Sequence, residues 1–455
     1  MNEFTKSVYK FSKFDKVKNI FFLAIPAIIE NISHVFIGVV DIYFVSKLGT
    51  EAIAGVGITN LTMNVYIAFF MAFGIGTTAL VSRHIGANEK EKASYVLRQI
   101  LLMNLFIGII IGFTNLIFSK KILLFLGADA KTLESAIPYF LAVSVPSIFL
   151  SMNIILSSAL RGAGNTKTPM NIALIANLTN AILDYILIFG ILNFNGFGIL
   201  GAGLATTLSR VISMIFLFQK ITNKKSEFYI SILESWKLDF ISAKAILKLS
   251  LPAAVERLIM RSGQVVYGSM IIKIGTEAYA AHNIAGTIES FSYLPGMGFG
   301  VAAATLVGQS LGKEEKENAQ NIGLISYFLA TIFMVIIGII FYIYAPELAK
   351  LFTKDDFIIN QVVKVLRIIA LFQPFLAITL VITSALQGAG DTKFPMYSSL
   401  IGIWGIRVLG VYILCVKLEY GLPAVWAVYA MDIVVRGIIL MVRYLYGDWK
   451  NVEIK

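Results

Sequence analysis

Apolar residues fill this chain in long blocks. A block of about 20 residues is long enough for a helix to cross a bilayer. Twelve such blocks are read, at roughly 20–45, 52–81, 93–118, 134–160, 167–191 and 198–220 in the first half. In the second half they fall at roughly 244–272, 278–308, 319–344, 360–386, 394–416 and 422–445. The pattern predicts an all-α membrane protein, with twelve transmembrane helices in two pseudo-symmetric six-helix lobes. Pro26, Gly74, Pro146, Pro252 and Pro295 fall inside these blocks. None is expected to split a span, because neighbouring helices can re-satisfy the backbone groups that such residues free.

The two halves repeat one another 226 residues apart. Leu160-Arg161-Gly162-Ala163-Gly164-Asn165-Thr166-Lys167 returns as Leu386-Gln387-Gly388-Ala389-Gly390-Asp391-Thr392-Lys393. Gly49-Thr50-Glu51-Ala52 returns as Gly275-Thr276-Glu277-Ala278, and Pro26 and Glu30 return as Pro252 and Glu256. Six spans per copy is an even number, so both copies enter the membrane in the same sense. Parallel repeats of this kind are the signature of an alternating-access transporter. The expected division is an N-lobe over 1–221, a cytoplasmic linker over 222–242 and a C-lobe over 243–455. The linker carries the amphipathic stretch Leu233-Glu234-Ser235-Trp236-Lys237-Leu238.

Composition sharpens the class. Hydrophobic residues make up 57% and charged residues 14%, against about 25% charged in soluble domains. The formal charge of +11 sits mostly in loops on one side, among them Lys6 to Lys18, Arg83, Lys90, Lys92, Lys220, Lys224, Lys225, Lys237, Lys244 and Lys450. That asymmetry places both termini in the cytoplasm. The basic face is accounted for by topology or by anionic lipid headgroups. No nucleic-acid module accompanies it. Residues 1–19 are polar and Lys-rich, and the long apolar block that follows reads as an uncleaved first span. A single cysteine, Cys415, excludes an internal disulfide and a cysteine metal cluster. Three histidines without a Ser/His/Asp or His cluster argue against an enzyme.

Charged and amide side chains inside apolar spans are costly and mark function or pairing. The first span carries His34 and Asp41, two turns apart on one face. The fifth carries Asn180 and Asp184, adjacent on one face. Carboxylates with an amide oxygen can hold Na⁺ or take up a proton in turn. The structural alternative for Asp184 is an ion pair with Arg210, and Arg407 with Asp432 is a similar pair in the second half. The second half also places Glu256, Arg257, Arg261, His282 and Glu289 in its spans. Glu256, like Glu30, reads as helix-end pairing or capping, whereas Glu289 needs a partner. At the repeat offset Asp41 faces Tyr267, Asn180 faces Ile406 and Asp184 faces Gly410. The first copy alone carries these coupling candidates. The Gly-Ala-Gly-(Asn/Asp)-Thr-Lys loops lack phosphate-loop spacing and read as scaffold turns that cap the next helix.

These residues resemble the multidrug and toxic compound extrusion (MATE) transporters over nearly the whole length. The resemblance rests on the doubled Gly-Ala-Gly loop and on Pro26 with Asp41, followed by Leu48-Gly49-Thr50-Glu51-Ala52. It rests also on Gly308-Gln309-Ser310-Leu311-Gly312 after the eighth span. It implies a secondary antiporter of the prokaryotic branch whose cation site lies in the N-lobe. Asp41, Asn180 and Asp184 would take the coupling cation, Na⁺ or H⁺, with Tyr139 hydrogen-bonded to the cluster. A threonine that the branch often carries on the sixth helix is replaced by Ala202, with Thr206 and Thr207 one turn on. The first helix would bend at Pro26. His34, Thr206, Glu289 and Arg261 are accessory candidates, and Met63, Tyr66, Phe69, Phe291 and Met297 are candidates to line a substrate path. The expectation is an inner-membrane monomer that exports amphipathic, often cationic, small molecules. It would contact lipid and need no cofactor beyond the coupling ion. The alternative is a flippase for a lipid-linked saccharide or another lipid.

Overall fold

The structure is a computed structural model that describes residues 13–191, 194–224, 226, 229–231, 234 and 236–452. The lysines before residue 13, Lys225, and Leu233 and Ser235 of the linker lie outside the described residues.

The first repeat forms α1 (Lys13–Ser46), α2 (Thr50–Gly86), α3 (Lys90–Phe125), α4 (Ala130–Ser144), α5 (Ser147–Gly162), α6 (Lys167–Phe189) and α7 (Ile199–Ile221). A two-stranded hairpin, β1 (Gly190–Ile191) and β2 (Phe194–Asn195), joins α6 to α7. The second repeat forms α8 (Phe240–Ile274), α9 (Thr276–Gly312), α10 (Lys316–Ile343), α11 (Ala345–Lys350), α12 (Asp356–Leu371) and α13 (Gln373–Gly388). It continues with α14 (Lys393–Ser399), α15 (Leu409–Val411) and α16 (Leu422–Tyr446). Helix α9 starts and ends 226 residues after α2, and α13 does the same after α5. The sequence repeat is thus also a repeat of helix boundaries.

Local chemistry fixes those boundaries. In the two Gly-Ala-Gly loops, Gly164 and Gly390 take φ of 90° and 91°, a left-handed turn that a side chain would strain. The residue after each glycine then caps the next helix. Asn165 Oδ1 accepts from the Thr168 amide at 3.0 Å, and Asp391 Oδ1 from the Phe394 amide at 3.4 Å. Both loops therefore serve as capping turns, as their composition predicts.

Among the described residues nine helices are long and apolar enough to cross a membrane, and two bent pairs bring the number to eleven. The twelfth predicted span falls in α8, which is 35 residues long. It carries Lys244, Lys248, Glu256, Arg257, Arg261 and Lys273 and is the least apolar of the set. Two spans are broken where no break was expected. The span predicted at 134–160 divides into α4 and α5 around Pro146, with a 44° bend. Pro146 has no amide hydrogen and cannot continue the α4 ladder. The span predicted at 360–386 divides between α12 and α13, where Pro374 opens α13, with a 59° bend. Pro26, Pro252 and Pro295 stay inside unbroken helices. The eleventh span is the irregular one. Between α14 and α15 it runs as a π-helix over Leu400–Val408, and again over Tyr412–Lys417.

Two compact units result among the described residues, one of Ile29–Leu258 and one of 13–28 with Ile259–Val452. These differ from the repeat boundaries at the first helix of each copy. Ile20, Leu23 and Ala24 of α1 are buried in a core with Phe299, Ala302 and Met334. Ala243, Ile246 and Leu249 of α8 are buried in a core with Leu97, Leu160 and Leu217. Each changeover comes a few residues after the matched prolines, Pro26 and Pro252.

Candidate functional site

In the Ile29–Leu258 unit, α1 and α6 run side by side in the same direction. Asn177 donates to Ser33 Oγ at 2.7 Å. Two turns further along both helices, the carboxyl groups of Asp41 and Asp184 come together and interact directly. Beyond them Phe44 meets the rings of Tyr185 and Phe189, with centroids 6.3 and 6.1 Å away. The seam thus encloses its acids between a polar contact and an aromatic cluster.

A carboxyl-to-carboxyl hydrogen bond needs a proton on one partner, because two carboxylates offer only acceptors. Asp184 is 1% exposed and Asp41 half-buried. Asp41 Oδ1 and Asp184 Oδ2 are both buried without a hydrogen-bond partner. Asn180, one turn before Asp184, is buried, and its amide nitrogen also lacks a partner. Unpartnered oxygens of this kind fit a proton or a small hard cation, and the Asn180 side-chain carbonyl is a further candidate ligand. Among the described residues no group of three or more His, Cys, Asp or Glu side chains could hold a metal ion. A cation here would therefore combine two carboxylates with neutral oxygens.

Helices α4 and α7 supply the neutral and basic partners. Tyr139 is buried at the seam, hydrogen-bonds Thr206 and interacts electrostatically with both carboxyl groups. Close packing puts it there, since a Cβ on Gly203 of α7 would sit 2.6 Å from Ala142 Cβ of α4. Ala202 is buried and apolar. Thr206, one turn on, bonds the Ala202 carbonyl at 3.1 Å and brings the hydroxyl to Tyr139. Arg210 makes no ion pair with Asp184. Its Nη1 donates to the Val143 carbonyl at 3.3 Å, while its charge interacts with Asp41. With one shared proton on the acids, the charges of Asp41, Asp184 and Arg210 sum to zero.

The other sequence candidates fall elsewhere. His34 is exposed and stands 4.0 Å from Glu30, away from the acid pair. Buried Glu30 is paired with Arg161 at 3.5 Å, an ion pair between α1 and α5. Met63 is 4% exposed and packs in the core with Val56 and Phe70, so it serves packing in this unit. Tyr66 donates to Asn115 Oδ1 at 2.6 Å, and the Phe69 ring meets Phe70 edge-on and Phe73 at a tilt. Phe291 and Met297 are exposed on α9. Arg261 is exposed and donates to Gln264 at 3.1 Å.

The second unit holds the predicted Arg407–Asp432 pair and more. Asp432 is fully buried and accepts from Arg407 Nε at 2.9 Å and from Arg407 Nη2. It also accepts from Arg436 Nε at 2.7 Å and Nη2 at 3.2 Å. Glu289 is buried, and its partner, invisible in the sequence, is Tyr429, whose hydroxyl donates to Oε1 at 2.8 Å.

A duplicated bundle of long apolar helices, with two facing acids in one unit, is the architecture of a multi-pass membrane protein. The MatE family model matches residues 26–186 and 252–413, and this chain belongs to that family of MATE transporters. A probable multidrug resistance protein NorM of Thermotoga maritima is 31% identical over 437 residues, covering 95% of this chain and 93% of that protein. A MATE in the bent conformation superposes with a TM-score of 0.87 at 25% identity, covering 95% of each chain. A MOP superfamily transporter from Pyrococcus furiosus, described as having a binding pocket of reverse polarity that suggests a different function, gives the same TM-score and identity over 95% of each chain.

Proposed function

We propose that this protein is a multidrug efflux antiporter of the cell inner membrane, with both termini cytoplasmic. It would export amphipathic, often cationic, small molecules against inward H⁺ or Na⁺. The observation that carries the reading is the meeting of Asp41 and Asp184 between α1 and α6, where Asp41 Oδ1 and Asp184 Oδ2 are buried without a hydrogen-bond partner. In the protonated state the pair and Arg210 are neutral together, and α1 rests against α6. When the proton leaves, two carboxylates face each other with one excess negative charge. The seam must then separate or take up another cation. A bound Na⁺ would replace the proton between the same oxygens, with Asn180, Tyr139 and Thr206 completing its shell. Pro26 is placed to let α1 bend as this happens, since its ring leaves the i−4 carbonyl without its amide partner. The multidrug resistance name borne by the Thermotoga relative supports the substrate class.

The driving force is adequate, because one charge moving through 100 mV supplies about 2.3 kcal/mol. The flippase alternative wants a basic cavity for a pyrophosphate. In the Ile29–Leu258 unit Arg98, Arg161 and Arg210 are each held by an internal acceptor, namely Glu234, Glu30 and the Val143 carbonyl. The test is efflux of a fluorescent amphipathic cation from proteoliposomes under an imposed pH gradient and, separately, an imposed Na⁺ gradient. Accumulation driven by either gradient supports the antiporter. Transport indifferent to both would defeat it.

A further inference from the structure

The break between α4 and α5 lies just over a turn past Tyr139, in the same unit as Asp41 and Asp184, and side chains answer its open backbone. A helix end leaves its last four carbonyls without partners inside the helix, and each needs one when buried. At the end of α4 the Leu141 carbonyl accepts from the Val145 amide at 3.3 Å. Pro146 has no amide to offer Ala142. The remaining three carbonyls go to two other helices. Ala142 accepts from Thr207 Oγ1 at 2.6 Å, Val143 from Arg210 Nη1 at 3.3 Å and Ser144 from Asn115 Nδ2 at 3.3 Å. Asn115, fully buried on α3, is itself fixed by the Tyr66 hydroxyl, which donates to its Oδ1 at 2.6 Å.

The same two helices also hold the far side of the break. Asn153 of α5 donates to the Arg210 carbonyl at 2.7 Å, so residue 210 of α7 grips α4 with its guanidinium and α5 with its backbone. On α3, Asn115 holds α4, while the Gly108 carbonyl two turns earlier accepts from Ser147 Oγ of α5 at 3.1 Å. Glycines let α3 come this close. A Cβ on Gly108 would stand 2.9 Å from Ile148 Cα, and one on Gly112 would collide with the Val145 carbonyl oxygen. A guanidinium also suits the C-terminal end of α4, where the helix dipole is negative.

The second copy shows that a broken span does not by itself require these bonds. At the 226-residue offset Asn115 becomes Phe341 and Thr207 becomes Ile433, and neither side chain can donate a hydrogen bond. Arg210 becomes Arg436, but Thr206 becomes Asp432, and Arg436 gives its guanidinium to that acid. The α12–α13 span is bent by 59° all the same. The donors from α3 and α7 belong to the copy whose α4 carries Tyr139, which hydrogen-bonds Thr206 and interacts with both Asp41 and Asp184. The corresponding residue of α12 is Val365. The added polar bonds thus accompany the ion-site tyrosine and not the bend.

We propose that Asn115, Thr207 and Arg210 are positioning residues for the coupling-ion site, and that they act by holding the opened end of α4 and, through it, the Tyr139 hydroxyl. A functional group keeps its geometry only when the shell behind it is locked. Asn115 and Thr207 are uncharged, and the bonds they donate go to the α4 backbone. Their effect on the ion therefore has to pass through α4. Arg210 serves in two ways, since its charge also interacts with Asp41. The proposal rests on the antiport reading, and the experiment keeps the two apart.

The test is ethidium transport by the full-length protein in proteoliposomes, driven by graded Na⁺ gradients and, separately, graded pH gradients. Asn115→Leu and Thr207→Val should each raise the half-saturating concentration of the driving ion by roughly 5-fold, as for one lost hydrogen bond, with the maximal rate within about twofold of wild type. Thr207→Ser keeps the hydroxyl and should restore the wild-type value. In a Tyr139→Phe background the extra shift from Asn115→Leu should vanish, because residues that act through one group are not additive. An unmoved half-saturation in both variants would overturn the proposal. So would the same 5-fold shift with and without the Tyr139 hydroxyl, which is what a merely structural role produces. Should Asn115→Leu not fold, Tyr66→Phe leaves Asn115 in place and removes its hydroxyl donor. The half-saturation should then rise in the same direction, and an unmoved value overturns the proposal equally. Wild-type transport indifferent to both ions would defeat the antiport reading and this role with it, whereas a coupled wild type with unmoved variants defeats the positioning role alone.

Discussion

Removing Asp432 should be the most damaging single change in the second unit, and the damage should be repairable. Asp432 is 0% exposed, with Arg407 at 5% and Arg436 at 7%. Asp432→Ala strips both guanidinium groups of their acceptor inside a dry core. Breaking a buried pair by deleting one partner costs about 3–5 kcal/mol, mostly the penalty of the orphaned charge. Here two cations are orphaned and only Glu289 remains to offset them, so the cost belongs at the upper end of about 5 kcal/mol. A second change, Arg436→Met, restores the charge balance, since Arg407 and Glu289 are then one cation and one anion. The double variant should recover about half of the loss, a coupling energy within the ~0.5–3 kcal/mol seen between contacting residues. The assay is thermal unfolding of the detergent-solubilised protein, read by tryptophan fluorescence and by loss of the monodisperse peak. An additive double variant, less stable than either single one, would refute the charge-balance argument. So would Asp432→Ala unfolding like wild type.

Gly402→Ala should destabilise the same cluster without changing any charge. The new methyl would meet Asp432 Oδ1 at 2.2 Å and Arg436 Cγ at 2.4 Å, an overpacking cost of about 1–3 kcal/mol, measurable by the same unfolding assay. Tyr139→Phe removes a hydroxyl bonded to Thr206 beside both carboxyl groups. It should leave the fold intact and weaken coupling-ion affinity by roughly 5-fold, about 1 kcal/mol for one hydrogen bond, as read from the concentration dependence of ion-driven efflux. Asp239 caps α8 by accepting from the Ser242 hydroxyl at 2.6 Å and from the amides of Ser242 and Ile241 at 3.0 and 3.1 Å. Those bonds, the Ser242 hydroxyl first, hold its carboxyl below the usual carboxylate range. A depressed native value means that the cap is fully formed above the ordinary carboxylate pKa of about 3.9 and is lost as pH falls through the native value. Protection of the Ile241 and Ser242 amides, taken against the intrinsic exchange rate at each pH, should fall only on strong acidification, and Asp239→Ala should remove that pH step.

The fold was legible because its two strongest signals are linear. Apolar block length marks the spans, and the 226-residue offset marks the helix ends, down to matched boundaries for α2 with α9 and α5 with α13. The break at Pro146 was not legible, because Pro26, Pro138, Pro252 and Pro295 sit in unbroken helices and nothing local distinguishes them. Membership of the compact units was hidden for a related reason. Ile20, Leu23 and Ala24 look like any span residues, and only packing assigns them to a core with Phe299. In the candidate site, the acids announced themselves by being out of place in apolar helices. Asp41 and Asp184 were nameable, as was the Arg407–Asp432 pair, because buried charge needs a partner. Which neutral group answers an acid was not. Glu289 with Tyr429 spans 140 residues, and tyrosines are common enough in this chain that none stood out.

The central claim is that cation uptake at Asp41 and Asp184 drives export. Its most direct test is dye-coupled ion flux in proteoliposomes, with wild type, Asp41→Asn and Asp184→Asn reconstituted at equal, folded amounts. Each net charge moved inward through 100 mV is worth about 2.3 kcal/mol, about a 40-fold dye gradient at ~1.4 kcal/mol per tenfold. Wild type should build a gradient of that order per net charge. Either asparagine variant should bind dye yet equilibrate it, with no gradient and no coupled ion flux. A variant that concentrates dye as wild type does would contradict the account.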